Sequence, residues 1–398
     1  MYEDKLSYDA GSRILSKVDR RLGAYLPRRD RRYTYDGLHR LIEEQPGVHN
    51  DDAWVAGWNH DGSAAWNAGT IDPNDWDLDQ LGNWEAWNVD YDFSGSLDGL
   101  EVATGATHNA ANELLQQTYP TPSGPAARSL TYDAAGNLRE APAGVAEYTY
   151  DAWNRLVSYV SGAGNSSSGE ESAYNALHHR IAREDFRPFG AGEQRDRRLM
   201  YWSPSWQMLE EHADIDYDAG LGFEADRIAQ QVWGPRYIDD AVLRRVDYRL
   251  SGGVFDHLPS GQPDYSAFWY VTDHQFSVVA VLNSAAYVQE RVVYDAYGND
   301  HSYRVSDWNQ DGVADGPGDW DAFFAAWGAQ EPAADLVRDG VVDIQDLLAY
   351  SEATPGYFFD NPVGYCGYLR SGRSGLWAVR FRHLDSKTGR WVQRDPAG

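Results

Sequence analysis

A mainly β chain, built from a repeated short hairpin and interrupted by one small α-helical insertion, is what this sequence predicts. Three observations point to it. The first is a phrase that occurs twice within residues 130–159, where Tyr132-Asp133 leads to Gly136-Asn137-Leu138 and Tyr150-Asp151 to Asn154-Arg155-Leu156. The second is that looser copies of the phrase are spread over most of the chain. The third is composition: aromatic residues make up 14%, with 26 Tyr and 16 Trp against 3 Met. Rings suit a pleated surface better than a helix, so this balance favours strands.

Each copy reads as a strand, a tight turn and a second strand. The Asp side chain can accept a backbone N–H inside the turn, and Gly or Asn tolerates the positive φ such turns need. Tyr and Leu on either side can then cover each other on one face. One hairpin of this size cannot persist alone, so repetition is a physical requirement. The other copies start at Tyr8-Asp9, Tyr35-Asp36, Leu78-Asp79, His108-Asn109, Tyr174-Asn175 and Tyr294-Asp295. From residue 8 to residue 174 successive starts lie 27, 43, 30, 24, 18 and 24 residues apart.

This phrase resembles the YD repeat of bacterial RHS-repeat proteins, whose strands spiral into a large hollow β-shell. The C-terminal part carries the resemblance independently. Val271-Thr272-Asp273-His274 and Tyr294-Asp295-Ala296-Tyr297-Gly298 are similar to the family's run into its core. The run from Gly364-Tyr365 through Arg380-Phe381-Arg382 and Thr388-Gly389-Arg390-Trp391 to Arg394-Asp395-Pro396 is similar to the RHS-associated core signature. Phe276 stands where the family usually has Gly, and His383-Leu384 where it usually has two aromatics. The resemblance implies a YD-repeat shell segment over 1–304 and core strands over 357–398. It also implies that the chain is a piece of a larger protein.

Residues 307–350 break the pattern. Asp307, Asn309, Asp311 and Asp315 place oxygen donors at positions 1, 3, 5 and 9, with Gly312 at 6 and the Val313 carbonyl at 7. That is the spacing of an EF-hand-type calcium loop, in which glycine permits the sharp turn. Asp319 is the closing carboxylate, one residue later than the twelve-residue pattern. A second loop runs through Asp335, Asp339, Val341, Asp343 and Asp346, with Val337 in place of the oxygen donor at position 3. It should hold calcium more weakly. Phe323, Phe324 and Trp327 at near-helical spacing predict an exit helix, and Leu347-Leu348 open another. The two loops resemble a type I dockerin module. The resemblance implies calcium as cofactor and a protein partner for a module spanning 305–352, inserted where loops tolerate extra sequence.

The remaining composition narrows function. The formal charge of −27 makes nucleic-acid binding through phosphates an unsuitable role for the whole chain. A solvated face is the plainer reading of the arginines between residues 20 and 32. No apolar run is long enough for a transmembrane helix, and the N-terminus lacks a basic-then-apolar export signal. The single Cys366 is expected to be a small buried hydrophobe. Zinc spacing of Cys and His, a nucleophile elbow and His-Glu-x-x-His are all absent, so no enzyme is expected. Toxin-carrying family members cut themselves with an aspartate pair beyond the core signature. Asp395 matches the Arg-Asp-Pro of that signature and is expected to form a structural turn.

The expectation is a non-enzymatic shell of a bacterial surface or secreted protein, attached through its calcium module. Two alternatives stand beside it. One is a carbohydrate-binding protein for cell-surface polysaccharide, using Trp54, Trp58, Trp66, Trp76, Trp84 and Trp87. The other is a self-cleaving toxin-carrier precursor. Residues 119–128, 161–170 and 250–265 read as loops or linkers.

Overall fold

The computed structural model describes residues 4–19, 30–50, 53–56, 74–89, 102–119, 124–141, 146–162, 167–189, 192–215, 217, 220–250, 254–255, 266–304, 308, 317–330, 334, 336, 341–342, 344–353 and 361–395. Strands dominate them, and the chain divides into two compact units. One comprises Met1–Arg128 with Tyr287–Tyr357, the other Ser129–Ala286 with Phe358–Gly398.

The second unit is an antiparallel meander in which each strand pairs with the next, from Thr131–Tyr132 to Val278–Leu282, with Val254–Phe255 as a side branch. Its hairpins share one construction. At the Asp151 turn the Asp151 N–H donates to the Arg155 carbonyl at 3.1 Å and the Asn154 N–H to the Asp151 carbonyl at 3.0 Å. The Asp151 carboxylate then accepts the N–H groups of Trp153 and Arg155 on one oxygen and the Arg155 Nε–H on the other. Tyr150 and Leu156 are register partners across a local shift in pairing. The sequence therefore folds locally because one carboxylate satisfies donors that the turn would otherwise leave open.

The same construction appears at every copy read from the sequence, and at three that were not. Ser203, Asp273 and Asn283 head turns of the same kind, closed by Trp206, Phe276 and Ala286. The fourth turn residue has positive φ throughout: Gly82 89°, Gly136 84° and Gly298 90°, but also His39 68°, Trp206 65° and Phe276 63°. Phe276 thus occupies the glycine position of the pattern with its backbone held as glycine would hold it.

Two expected linkers are shorter than the composition implied. Ala126–Ser129 forms a strand that begins inside 119–128, and Ser168–Tyr174 begins inside 161–170. Gly169 is buried there because a Cβ would stand 2.2 Å from the Tyr159 carbonyl. Glycine here admits a close approach of strands rather than a flexible link. Of the 250–265 loop, Val254–Phe255 pairs with Arg249 and Leu250, and residues 251–253 and 256–265 lie outside the described residues.

A four-stranded sheet, Leu369–Arg370, Trp377–Val379, Arg382–Asp385 and Arg390–Trp391, belongs to the same unit. Its neighbourhood adds Val363 and Leu369 to a core of Met200, Met208, Ala229, Val246, Phe268, Tyr270, Val278 and Val281. Gly367, at φ 73°, lets the backbone pass where a Cβ would meet the Asp239 carbonyl at 2.1 Å.

In the first unit, strands from Asp4–Tyr8 to Val102–Ala103 form one antiparallel sheet. Trp76, Trp84, Trp87, Val89 and Ala103 are its core. Tyr297, at the tip of the 294–300 turn, stands edge-on to Trp76 and Trp84 with centroids 4.8 and 4.7 Å away. The insertion supplies the two described α-helices, α1 (Pro317–Gly328) and α2 (Ile344–Ala353). Phe323 and Tyr350 stack between them at 3.9 Å, and Trp308 closes on both rings.

Candidate functional sites: a hairpin ladder and a helical insertion

A feature that recurs through the second unit is a bond from one hairpin to the next. The Tyr150 hydroxyl donates to the Leu138 carbonyl at 2.8 Å, and the Tyr174 hydroxyl to the Leu156 carbonyl at 2.8 Å. Where tryptophan replaces tyrosine the bond persists: Trp202 Nε1–H donates to the Arg180 carbonyl and Trp233 Nε1–H to the Met208 carbonyl. In the first unit the Tyr35 hydroxyl reaches the Ile14 carbonyl at 2.9 Å. Each aromatic thus bonds the first residue of the preceding hairpin's second strand. Where the bond forms, it uses a ring with a donor at its far end and not merely an apolar ring.

A second row of bonds runs along the turns. Arg155 Nη1–H donates to the Asn175 carbonyl at 2.9 Å, and Arg40 Nη1–H to the Asp79 carbonyl. Asn137 Nδ2–H donates both to its own Asp133 carboxylate and to Asn154 Oδ1, each at 2.9 Å. The residue after the positive-φ position therefore ties its own turn and the next. Burial pushes the Tyr174 hydroxyl up to about 12, so it stays a donor at any physiological pH. For Asp151 burial raises the carboxyl, but the bonds from Arg155 and Trp153 outweigh it and hold it below the usual range.

The core segment joins this ladder. The Val392 carbonyl accepts the Leu138 N–H at 2.8 Å and the Tyr150 hydroxyl at 3.2 Å, and the Arg394 N–H donates to Asn137 Oδ1. Asp395 pairs with Arg382 at 3.2 Å, and Arg382 lies over the Trp391 ring at 4.1 Å. His383 is buried, with Gln393 Nε2 2.9 Å from its Nδ1. Burial, reinforced by Arg180, lowers it to about 3, so it is neutral. Cys366 is half-buried with φ 51°, and burial raises its thiol to about 11, away from nucleophilic form.

Charged side chains buried between the strands were not foreseen. The Glu211 carboxylate receives Arg198 at 3.3 Å, Arg227 at 3.0 Å and Arg244 at 3.2 Å on one oxygen. Arg183 pairs with Asp185 at 2.9 Å. Alternating charge within Arg180–Phe189 and Gly192–Trp202 was the available signal, and it reads equally as a solvated face. Arg31, expected to be solvated, is buried and paired with Glu44 at 2.8 Å.

Of the residues expected to hold calcium, Asp307, Asn309, Asp311, Val313, Asp315, Asp335, Asp339 and Asp343 lie outside the described residues. Asp319 and Asp346, the two closing carboxylates, stand in the first turns of α1 and α2, fully withdrawn from solvent. Val341 is exposed. Among the described residues no group of three His, Cys, Asp or Glu side chains converges as a metal site. The fit to a hard cation rests on those two carboxylates. The two helices that carry them share a core of Phe323, Ala334, Val342 and Tyr350.

Of the tryptophans weighed as sugar platforms, Trp76, Trp84 and Trp87 are buried in the first unit's core and present no face to a ligand. Trp58 and Trp66 lie outside the described residues, as does the side chain of Trp54.

The fold and these bonds define a β-hairpin repeat protein. Residues 132–166, which hold the Tyr150 hairpin and its neighbour, match the RHS Repeat family model. No curated protein matches it. Among solved structures, the crystal structure of TcdB2-TccC3 is similar in fold, with 13% identity and a TM-score of 0.52, covering 99% of this chain. The Tc holotoxin pore of Photorhabdus luminescens carrying a TccC3 mutation covers 99% of it at 12% identity and a TM-score of 0.45. This chain spans 17% of the length of the first and 19% of the second. Among the described residues no helix is long and apolar enough to cross a membrane.

Proposed function

We propose that the chain is a non-enzymatic structural segment of an RHS shell that encloses or carries another polypeptide outside the cell, with its helical insertion attaching the assembly to a protein partner when calcium is bound. The observation that carries the structural reading is the ladder of aromatic donors. A chain in which Tyr35, Tyr150, Tyr174, Trp202 and Trp233 each bond the preceding hairpin has spent these rings on continuity of a wall. The likeness in fold to TcdB2-TccC3 supports a toxin-carrier-like architecture. The pairing of Asp395 with Arg382 supports a structural turn there in preference to a role in self-cleavage.

The attachment reading rests on the donor spacing of the two loops and on the burial of Asp319 and Asp346. The acidic loops would repel themselves without a cation, so binding and ordering of the insertion should be coupled. Calorimetric titration of the chain with calcium is expected to give saturable heat that Asp311→Ala abolishes and Asp339→Ala reduces. No heat at millimolar calcium would remove the attachment role and leave the wall intact. A polysaccharide-binding role is the weaker reading, because three of its six tryptophans are core residues.

A further inference from the structure

Arg180 occupies a position that is apolar in the other hairpins of its unit. It is the first residue after its turn, the place held by Leu138, Leu156, Met208 and Val278, all buried. Its backbone does what theirs does, since its carbonyl accepts the Trp202 indole N–H at 2.7 Å. Its side chain does not. Arg180 is 5% exposed, its guanidinium donates to the neutral Ser371 hydroxyl at 2.8 Å, and no carboxylate among the described residues forms an ion pair with it. The carboxylates that act on it through space are committed elsewhere: Glu170 accepts the Arg373 N–H and the Ser374 hydroxyl, and Asp185 is paired with Arg183.

A buried guanidinium without a carboxylate is costly, and the usual compensation is a partner anion. Arg180 lines a small cleft of about 40 Å³ that opens to solvent. Trp202, Trp206 and Trp233 form much of its wall, with Asp239, Tyr368, His383 and Arg380 among its polar members. The N–H groups of Trp202 and Trp233 are consumed within the ladder, so these rings offer faces and edges and no donors. Arg380 is held by Asp239 at 2.9 Å and His383 by Gln393, which leaves the Arg180 fork as the group suited to grip an anion.

We propose that this cleft is a binding site for a small organic carboxylate, with the carboxylate on the Arg180 guanidinium and a flat body against the tryptophan faces. Nothing in the wall-forming role requires such a site, so the two readings stand or fall separately. A charge-assisted, two-point hydrogen bond discriminates a carboxylate from its neutral amide by about tenfold or more.

The test is calorimetry with benzoate, benzamide and glucuronate on the whole chain. Benzoate is expected to bind about tenfold or more tightly than benzamide. Glucuronate binding as well as benzoate would assign the flat body to a sugar ring, and its failure would assign it to an aromatic. Arg180→Met places at this position the residue that Met208 supplies in a neighbouring hairpin, and is expected to keep the fold and lose the preference for benzoate. Equal affinity for benzoate and benzamide, heat from neither at millimolar concentration, or an unchanged preference in folded Arg180→Met would each overturn the proposal. If Arg180→Met does not fold, the comparison of benzoate with benzamide on the unaltered chain still decides.

Discussion

At the scale of single residues, the turn shows how one chemical requirement can be met by dissimilar side chains. The carboxylate or amide at its head is replaceable by Ser203, because all that is needed is an acceptor for the N–H groups two and four residues on. The positive-φ position is harder on most residues, at about 1–2 kcal/mol outside glycine. Phe276 offsets this by stacking on Tyr237 at 5.0 Å and lying under the Arg236 guanidinium at 5.4 Å. Contacts of this kind contribute roughly 0.5–1.5 kcal/mol each. Phe276→Gly loses the contacts but relieves the backbone, and should leave stability within about 1 kcal/mol. Phe276→Ala loses the contacts and keeps the strain. It should be less stable than Phe276→Gly by about 1 kcal/mol in chemical denaturation. The reverse order would mean that the positive φ costs nothing here.

At the scale of elements, the 294–300 turn shows charge used against packing. Its tip docks in the first unit through Tyr297, while the Ala296 N–H donates to Glu44 Oε2 at 2.8 Å. Burial, with Glu44 adding repulsion, raises Asp295 from 3.8 to about 7. An acid whose folded pKa lies above its unfolded one holds its proton more tightly when folded. The stability it gives is therefore full at low pH and is lost as pH rises from about 4 to about 7. Arg31, already paired with Glu44, does not reverse that direction. Asparagine heads the same turn at Asn109, Asn175 and Asn283, so Asp295→Asn keeps the geometry without the charge. The substitution should raise the melting temperature at pH 8 and leave it nearly unchanged at pH 4. A gain of equal size at both values would place the effect elsewhere. The Asp9, Asp36, Asp79, Asp133 and Asp151 turns act in the opposite sense, because their carboxyls are held low and their contribution fades as pH falls through that lowered range.

At the scale of the whole molecule, the repeat was the part of the fold most open to reading, because Tyr-Asp at the head and Gly-Asn at the tail of a turn are local chemistry. Turns headed by Ser203 and Asn283 escaped because the pattern had been tied to its commonest letters and not to the acceptor they share. The inter-hairpin bonds of Tyr150 and Trp202 were beyond a sequence reading, since they depend on which carbonyl the next strand brings within reach. Buried arginines escaped for a related reason: Arg180, Arg198 and Arg244 look solvent-facing until the pairing register is known. In residues 305–352, the helices at Phe323 and Leu347 followed from spacing, and Asp319 and Asp346 lie in their first turns.

The account turns on neighbouring hairpins being tied by their aromatic donors into one cooperative wall. Hydrogen exchange of the chain and of Tyr150→Phe, followed by mass spectrometry, tests this most directly, because the substitution removes only the bonds to the Leu138 and Val392 carbonyls. The account predicts that protection falls together in three segments: 131–140, 146–161 and 390–395. Loss of protection confined to the substituted hairpin, with 131–140 and 390–395 unchanged, would contradict it.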